Sequence, residues 1–386
     1  MERAVALARR GEALASPNPM VGAVLVRGGR VVGEGFHTYG GLKHAEILAL
    51  EAAGNAARGS TLYINLEPCC HAGRTGPCTA ALIASGVKRV VAAMPDPNPR
   101  VSGRGFGELH AARIRVQVGG FPDALALESQ RLNQAFAAWI TERRPFVTLK
   151  VAMTLDGHTI LPPSRDGKRE RWITSEAARA EVHRMRHASD AILTGIGTVL
   201  ADDPLLTDRS GLPRRRPLLR VVLDSRLRMK PSSQIARSAR GDVLVFTCAS
   251  ESTARALALR RKGVEIIECA PSGKERSRNK KSRVRAHAGR PDLHSVLKEL
   301  ARRDILSVIL EAGDTLNEVA LASDLVDKVR IFYAPLVAGS IATKPTSRRS
   351  TLHVHKLSDV GIERFGPDFA VEGYLQSVYH NVDHSK

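Results

Sequence analysis

The chain has 386 residues, 43% of them hydrophobic, enough to bury more than one core, so two domains are expected. Its formal net charge is +19, yet aromatic residues make up only 4%, too few for the stacking platforms of a single-strand nucleic-acid binder. No apolar run is long enough to span a bilayer, Met1-Glu-Arg-Ala does not open a signal segment, and the cysteines cluster rather than framing disulfides, so a cytoplasmic protein without membrane or nucleic-acid partner is expected.

In chain order, residues 2–10 read as a short amphipathic helix broken at Ser16-Pro-Asn-Pro19. Val21 to Val26 and Arg30 to Gly35 alternate around Gly28-Gly29, which predicts a β-hairpin. A loop through His37 leads to a helix beginning near His44. Thr61 to Leu66 reads as a strand delivering Pro68-Cys69 at its end, Cys78 opens a helix, and Val87 to Ala93 is a strand ending in the rigid loop Asp96-Pro-Asn-Pro99. Helix 103–112, strand 114–118 and helix 123–139 complete a first α/β unit. Arg143-Arg-Pro145 is the candidate boundary, giving domains 1–143 and 145–375.

After it the pattern restarts. Strand Phe146 to Met153, helix 175–187, strand Asp190 to Thr194 and strands 218–223, 242–247 and 264–268 follow, with a helix at 252–261. Pro271 to Arg290 holds eight Lys/Arg and one Glu with almost no large apolar residue, which reads as a solvated basic insertion. Helix 292–302, strand Ile305 to Glu311, helix 314–322 and strand 328–334 come next. Strands alternating with helices predict a largely parallel sheet and a second α/β domain.

The chemistry concentrates in His44-Ala-Glu46 and in Leu66-Glu-Pro-Cys69 through Cys78. A His-x-Glu followed by Pro-Cys and a further Cys resembles the signature of zinc deaminases acting on nucleobase-like rings. His44, Cys69 and Cys78 would supply one imidazole and two thiolates, leaving the fourth tetrahedral position for water. Glu46 would then move the proton from that water to the ring and the leaving amine. A structural zinc is the competing reading, with Cys70 or His71 as fourth ligand. A helix starting near His44 would place Glu46 where free N–H groups favour an ionised carboxylate.

In the second half, Gly195-Ile-Gly197-Thr198 and Glu311-Ala-Gly313-Asp-Thr315 could each cradle a dinucleotide or simply be turns, since neither is a G-x-G-x-x-G fingerprint. Asp202-Asp203-Pro204 is equally a turn start, and Lys150, Arg186 and Arg209 could hold a phosphate or hydroxyl-rich substrate or face solvent.

Taken together, the chain resembles the bifunctional deaminase/reductase family of riboflavin biosynthesis, RibD or RibG. In the first half the resemblance rests on Pro17-Asn-Pro-Met-Val-Gly22, Gly33-Glu-Gly-Phe-His37, His44-Ala-Glu46, Leu66-Glu-Pro-Cys69, Gly73-Arg-Thr-Gly-Pro-Cys78 and Asp96-Pro-Asn-Pro99. In the second it rests on Lys150-Val-Ala-Met-Thr-Leu-Asp-Gly157, Trp172-Ile-Thr-Ser175, Asp190-Ala-Ile-Leu-Thr-Gly195, Gly197-Thr-Val-Leu-Ala-Asp-Asp-Pro204 and Glu311-Ala-Gly313.

The resemblance implies an N-terminal cytidine-deaminase-like three-layer domain fused to a C-terminal dihydrofolate-reductase-like α/β domain. It further implies Zn2+ and NADPH as cofactors, a phosphorylated pyrimidine as substrate, and a homo-oligomer. Asn18, His37, His71, Arg74, Asp96 and Asn98 would line the deaminase pocket. Lys150, Asp202 and Glu311 would surround the ribose, with Lys150 or Asp202 as the acid–base group. Arg186, Leu206 and Arg209 match substrate-binding positions; Ala152, Trp172, Thr198, Asp202 and Gly313 match positions near the cofactor. Among the departures, Glu170 stands where the family has a Ser two residues ahead of Trp172, and Asp314 puts negative charge at a helix start where a cofactor phosphate is expected; they predict weakened NADPH binding. Alternative readings are a deaminase with an impaired reductase half, a tRNA or other nucleic-acid deaminase, or a zinc-stabilised binding module.

Overall fold

A computed structural model describes residues 1–161, 172–250, 252–269, 289–339 and 354–379. Glu170 and nearly all of the basic insertion 271–290 lie outside the described residues. The first sheet is built from α1 (Glu2–Arg9), β1 (Gly22–Arg27), β2 (Arg30–Phe36), α2 (Ala45–Ala53), β3 (Thr61–Ile64), α3 (Cys78–Ala84), β4 (Arg89–Ala92), α4 (Arg104–Ala111), β5 (Arg115–Val118) and α5 (Asp123–Glu142). Its strand order is β2-β1-β3-β4-β5; β1 runs antiparallel to both neighbours and β3, β4 and β5 run parallel. The predicted hairpin turns through Gly28 and Gly29, whose φ values of 55° and 75° fit the primed two-residue turn that matches strand twist.

Glycines let the helices lie close on this sheet. A Cβ on Gly33 would meet the Ala49 carbonyl oxygen at 2.2 Å, and one on Gly35 would meet Leu48 Cβ at 2.5 Å. The motif Gly33-Glu-Gly35 therefore seats α2, and with it His44 and Glu46, flush against β2. Gly105 does the same for α4 against the end of the zinc strand, with Pro68 O 2.2 Å from its would-be Cβ.

Helix α5 ends at Arg143 in the left-handed region, and β6 (Phe146–Thr154) opens the second sheet. The elements that follow are α6 (Glu176–Ala188), β7 (Ala191–Gly195), α7 (Ile196–Asp202), β8 (Leu219–Leu223), α8 (Gln234–Arg237), β9 (Val243–Thr247), α9 (Ala254–Arg260) and β10 (Val264–Glu268). After the basic segment come α10 (Leu293–Arg302), β11 (Ser307–Leu310), α11 (Asp314–Ala322), β12 (Lys328–Ala334), β13 (Ser358–Phe365) and β14 (Asp368–Tyr374). The order is β10-β9-β8-β7-β11-β6-β12-β14-β13, parallel through β12 and antiparallel across β14 and β13.

Two features go beyond the sequence reading. The turn expected at 195–198 continues into α7, which stops at Asp203 with φ 39° ahead of Pro204. The closing hairpin β13–β14 shows no clean alternation in sequence because β13 is exposed along nearly its whole length.

The second sheet buries both faces, as a parallel sheet must. One core joins Leu193 and Leu310 to Val296, Leu297 and Leu300 of α10 and Ala320 of α11. The other joins Ile192 and Ile309 to Ile196 and Val199 of α7. Helices α7 and α11 thus lie on opposite faces of adjacent strands β7 and β11, the arrangement that opens a crevice at the carboxyl edge.

Candidate active sites

In the first unit, His44 is the N-cap of α2 and Glu46 stands in its first turn, as the helix start predicted. Cys78 opens α3, and its backbone N–H lies 3.5 Å from Cys69 Sγ. His44 Nδ1 is 3.2 Å from Cys78 Sγ and 3.4 Å from Cys69 Sγ. A tetrahedral zinc with ordinary Zn–N and Zn–S bonds sets its ligands about 3.5 Å apart, so the three donors fit that ion. Among the described residues no fourth His, Cys, Asp or Glu joins this group, which favours a catalytic over a structural metal.

The electrostatics depart from expectation at two groups: Glu46 is raised rather than held ionised, and the bond to Cys69, with burial, keeps Cys78 as a thiol. Hydrogen bonding from the Cys78 thiol and from His44 pulls Cys69 towards thiolate, against burial, and the Cys69 bond in turn raises His44. Burial, with Cys69 adding, pushes Glu46 up to about 7; the charge of a bound cation acts in the opposite direction. Asn18 Nδ2 lies 2.9 Å from His37 Nε2, and His37 Nδ1 lies 2.9 Å from the Lys43 carbonyl. The His37 ring stands edge-on to His44 at 5.2 Å between centroids. Asp96 is buried, which pushes it up to about 7, and its carboxylate accepts the Asn98 N–H at 2.8 Å. His71 and Arg74 lie on the loop between the two ligand cysteines; Arg74 is exposed and stacks on Tyr39.

One contributor went unrecognised in the sequence. The buried carboxylate of Glu67 accepts N–H groups from Asp96 at 3.1 Å, Gly103 at 3.0 Å and Phe106 at 3.1 Å. It thereby ties the Asp96-Pro-Asn-Pro99 loop to the strand end that carries Cys69. An acidic residue directly before Pro-Cys was the available signal.

In the second unit, Lys150 on β6, Arg186 on α6 and Glu311 just past β11 meet at the carboxyl edge. Arg186 donates to both Glu311 oxygens at 2.7 and 3.0 Å, and Lys150 Nζ is 3.7 Å from the same carboxylate. A third Arg186 bond, to the Thr207 carbonyl at 3.2 Å, fixes its fork. Burial lowers Lys150, with Glu311 pulling the other way. Asp202 is the exposed last residue of α7 and Arg209 is exposed nearby. Leu206 buries its side chain in the core at φ 53°, so it has only backbone groups to offer a ligand.

The expected cofactor positions border the crevice. Gly313 caps α11, Asp314 is exposed in its first turn, and Thr198 lies in α7. Among the described residues, nothing lies within 4 Å of a would-be Cβ on Gly197 or Gly313. Ala152 lies on β6, and Trp172 is 55% exposed beneath Arg179. Two distant motifs prove to be one device: the buried Asp368 carboxylate accepts the Ser175 N–H at 2.6 Å, and Ser175 Oγ donates to Phe365 O at 3.3 Å. Strand β14 thus pins the start of α6.

Comparison with known proteins decides the family. The RibD C-terminal domain family matches residues 145–371, and the zinc-binding region of cytidine and deoxycytidylate deaminases matches residues 1–94. The riboflavin biosynthesis protein RibD of Aquifex aeolicus is 35% identical over 374 residues, covering 96% of each chain. The chain belongs to the RibD family.

The RibD protein of Escherichia coli is 38% identical over 353 residues, covering 89% of this chain and 88% of its own. The Acinetobacter baumannii RibD structure superposes with a TM-score of 0.78 at 34% identity, covering 97% of both chains. A diaminohydroxyphosphoribosylaminopyrimidine deaminase/5-amino-6-(5-phosphoribosylamino)uracil reductase from Thermotoga maritima does so at 0.77, also with 34% identity and 97% coverage of both chains. Like other RibD proteins, this chain is a bifunctional riboflavin-biosynthesis enzyme, a zinc deaminase joined to an NADPH-dependent reductase. The tRNA-deaminase and deaminase-only readings are not favoured.

Proposed function

We propose that residues 1–143 hydrolyse the 2-amino group of 2,5-diamino-6-(5-phosphoribosylamino)pyrimidin-4-one, and that residues 145–375 reduce the ribosyl chain of the product to ribityl. The observation that carries the first step is the three-donor cluster of His44, Cys69 and Cys78, with Glu46 two residues past His44 in the first turn of α2. Zinc held by these three donors would supply Lewis acidity to the attacking water. Glu46 takes the proton of the attacking water and passes it to the ring nitrogen and then to the departing amine. Asn18, His37, His71, Asp96 and Asn98 read the polar ring edge, and Arg74 meets the phosphate.

For the second step, NADPH supplies the hydride. Gly313 and the first N–H groups of α11, together with Thr198, Trp172 and Ala152, border its crevice, and Asp202 lies at the far end of α7. Arg186, Arg209 and the Leu206 backbone orient the phosphoribosyl chain. Lys150 serves as the acid–base group that opens the ribose ring, a role supported over Asp202 by its burial beside Glu311.

The enzyme acts on a small molecule, and we place it in the cytoplasm without a nucleic-acid partner. No helix among the described residues is long and apolar enough to cross a membrane, and none of the five cysteines is in a disulfide. Homo-oligomer formation is supported by β13, an edge strand with Val360 and Ile362 exposed.

The test is mass spectrometry of the diaminopyrimidine phosphoriboside incubated with zinc-loaded protein, with and without NADPH. The deaminated riboside is expected without cofactor and the deaminated ribityl compound with it. Deaminated riboside in both tubes would refute the second activity, and no product would refute both. Salt-sensitive binding of RNA would overturn the absence of a nucleic-acid partner.

A further inference from the structure

The loop before β8 carries three consecutive arginines, Arg214-Arg215-Arg216, at the seam between the two units. The outer two are committed. Arg214 bonds the Asp208 carboxylate at 3.0 Å and the Ser189 carbonyl at 2.9 Å. Arg216 pairs with Asp190 at 3.0 Å and bonds the Ser16 hydroxyl at 3.3 Å.

Arg215 is held differently. Its backbone N–H donates to the Ala13 carbonyl at 2.9 Å, which fixes it against the first unit. Among the described residues its guanidinium has no carboxylate partner, and its Nε is buried without a hydrogen bond. Its guanidinium carbon sits 4.4 Å from the Tyr39 ring centroid, and that of Arg74 sits 4.1 Å from the same centroid. Tyr39 follows His37 by two residues, and Arg74 lies on the loop joining Cys69 to Cys78. Two guanidinium ions on one tyrosine repel each other, and the ring's negative face offsets only part of that cost. Asp190 and Asp304 act on Arg215 only at longer range, and Arg74 is near enough to His37 to lower it, so two guanidinium groups share Tyr39 beside the deaminase pocket. A phosphate monoester fits this pair in charge, in size and in its capacity for paired N–H bonds.

We propose that Arg215, a residue of the reductase unit, completes the phosphate-binding site of the deaminase, gripping the 5-phosphate of the pyrimidine riboside together with Arg74. This rests on the deaminase reading above and deepens it: the first active site reads its substrate's phosphate with a side chain from the second unit.

The test is steady-state deamination by the full zinc-loaded chain, using the phosphoriboside and the same pyrimidine with its phosphate removed. Arg215→Gln keeps the backbone bond to Ala13 and removes the charge. It is expected to raise KM for the phosphoriboside about tenfold with little change in kcat, and to leave KM for the dephosphorylated substrate in place. Inorganic phosphate should compete with deamination by the wild-type chain and about tenfold less well with the variant. Arg215→Lys should fall between, since it keeps the charge and loses the fork.

Equal KM shifts for both substrates would show that Arg215 only packs Tyr39, and would overturn the proposal; so would no shift at all. NADPH oxidation with the deaminated riboside reports that each variant is folded. Should Arg215→Gln not fold, the lysine variant and phosphate competition against the wild-type chain decide, and absence of competition overturns the idea. A wild-type chain unable to deaminate the phosphoriboside would instead refute the deaminase reading itself.

Discussion

Arg186 and Glu311 form a two-pronged ion pair, at 2.7 and 3.0 Å, half-buried at the carboxyl edge of the second sheet. Helix α6 and the end of β11 are thereby locked around Lys150. Burial alone would raise Glu311, but Arg186 and Lys150 more than offset it and hold the carboxyl at about 2, against 4.5 for a free side chain. A group depressed in this way contributes stability that is fully present above pH 4.5 and is lost as pH falls towards 2. Acid unfolding of the wild-type chain, followed by circular dichroism, should therefore steepen in that window. Glu311→Gln should flatten it while lowering the unfolding free energy at neutral pH by about 3–5 kcal/mol, because Arg186 and Lys150 are left without their partner.

In the proposed deamination Glu46 moves the proton without being a zinc ligand, so the two roles separate. Glu46→Gln should retain one zinc per chain by elemental analysis while deamination falls by a factor of about 10²–10⁴. Cys69→Ser and His44→Ala should lose the metal. A Glu46→Gln chain with normal deamination would remove this residue from the proton path.

Close packing of glycine against backbone positions the candidate zinc donors. Gly33→Ala would drive a Cβ to 2.2 Å from the Ala49 carbonyl, and Gly105→Ala would do the same to the Pro68 carbonyl. Each should destabilise the first unit by about 1–3 kcal/mol and weaken zinc retention during dialysis against chelator. Reduction of the deaminated riboside should persist in both variants.

Asp314 stands exposed in the first turn of α11, at the positive end of the helix that the proposed cofactor site uses. It favours the free helix and opposes a phosphate there. Asp314→Asn should tighten NADPH binding by calorimetry about two- to fivefold, the effect of about 0.3–1 kcal/mol expected for one charge at a helix end. Unchanged affinity would place the cofactor phosphates away from this terminus.

Much of this protein was legible in its sequence. Chain-local chemistry set the helix starts at His44 and Cys78, the Gly28-Gly29 hairpin and the alternation of strands and helices, because caps, turns and periodicity act over a few residues. The zinc donors were readable for the same reason: each sits at a strand end or helix start that its own neighbours define. Other features arise only when distant segments meet. Glu67 holding the Asp96 loop, Asp368 capping α6, Lys150 rather than Asp202 joining Glu311, and Arg215 reaching Tyr39 across the seam link residues far apart in the chain. No local pattern encodes these pairings, since each depends on strand order and on how two sheets dock. Sequence set the chemistry available at each edge; the tertiary packing decided which charges face one another.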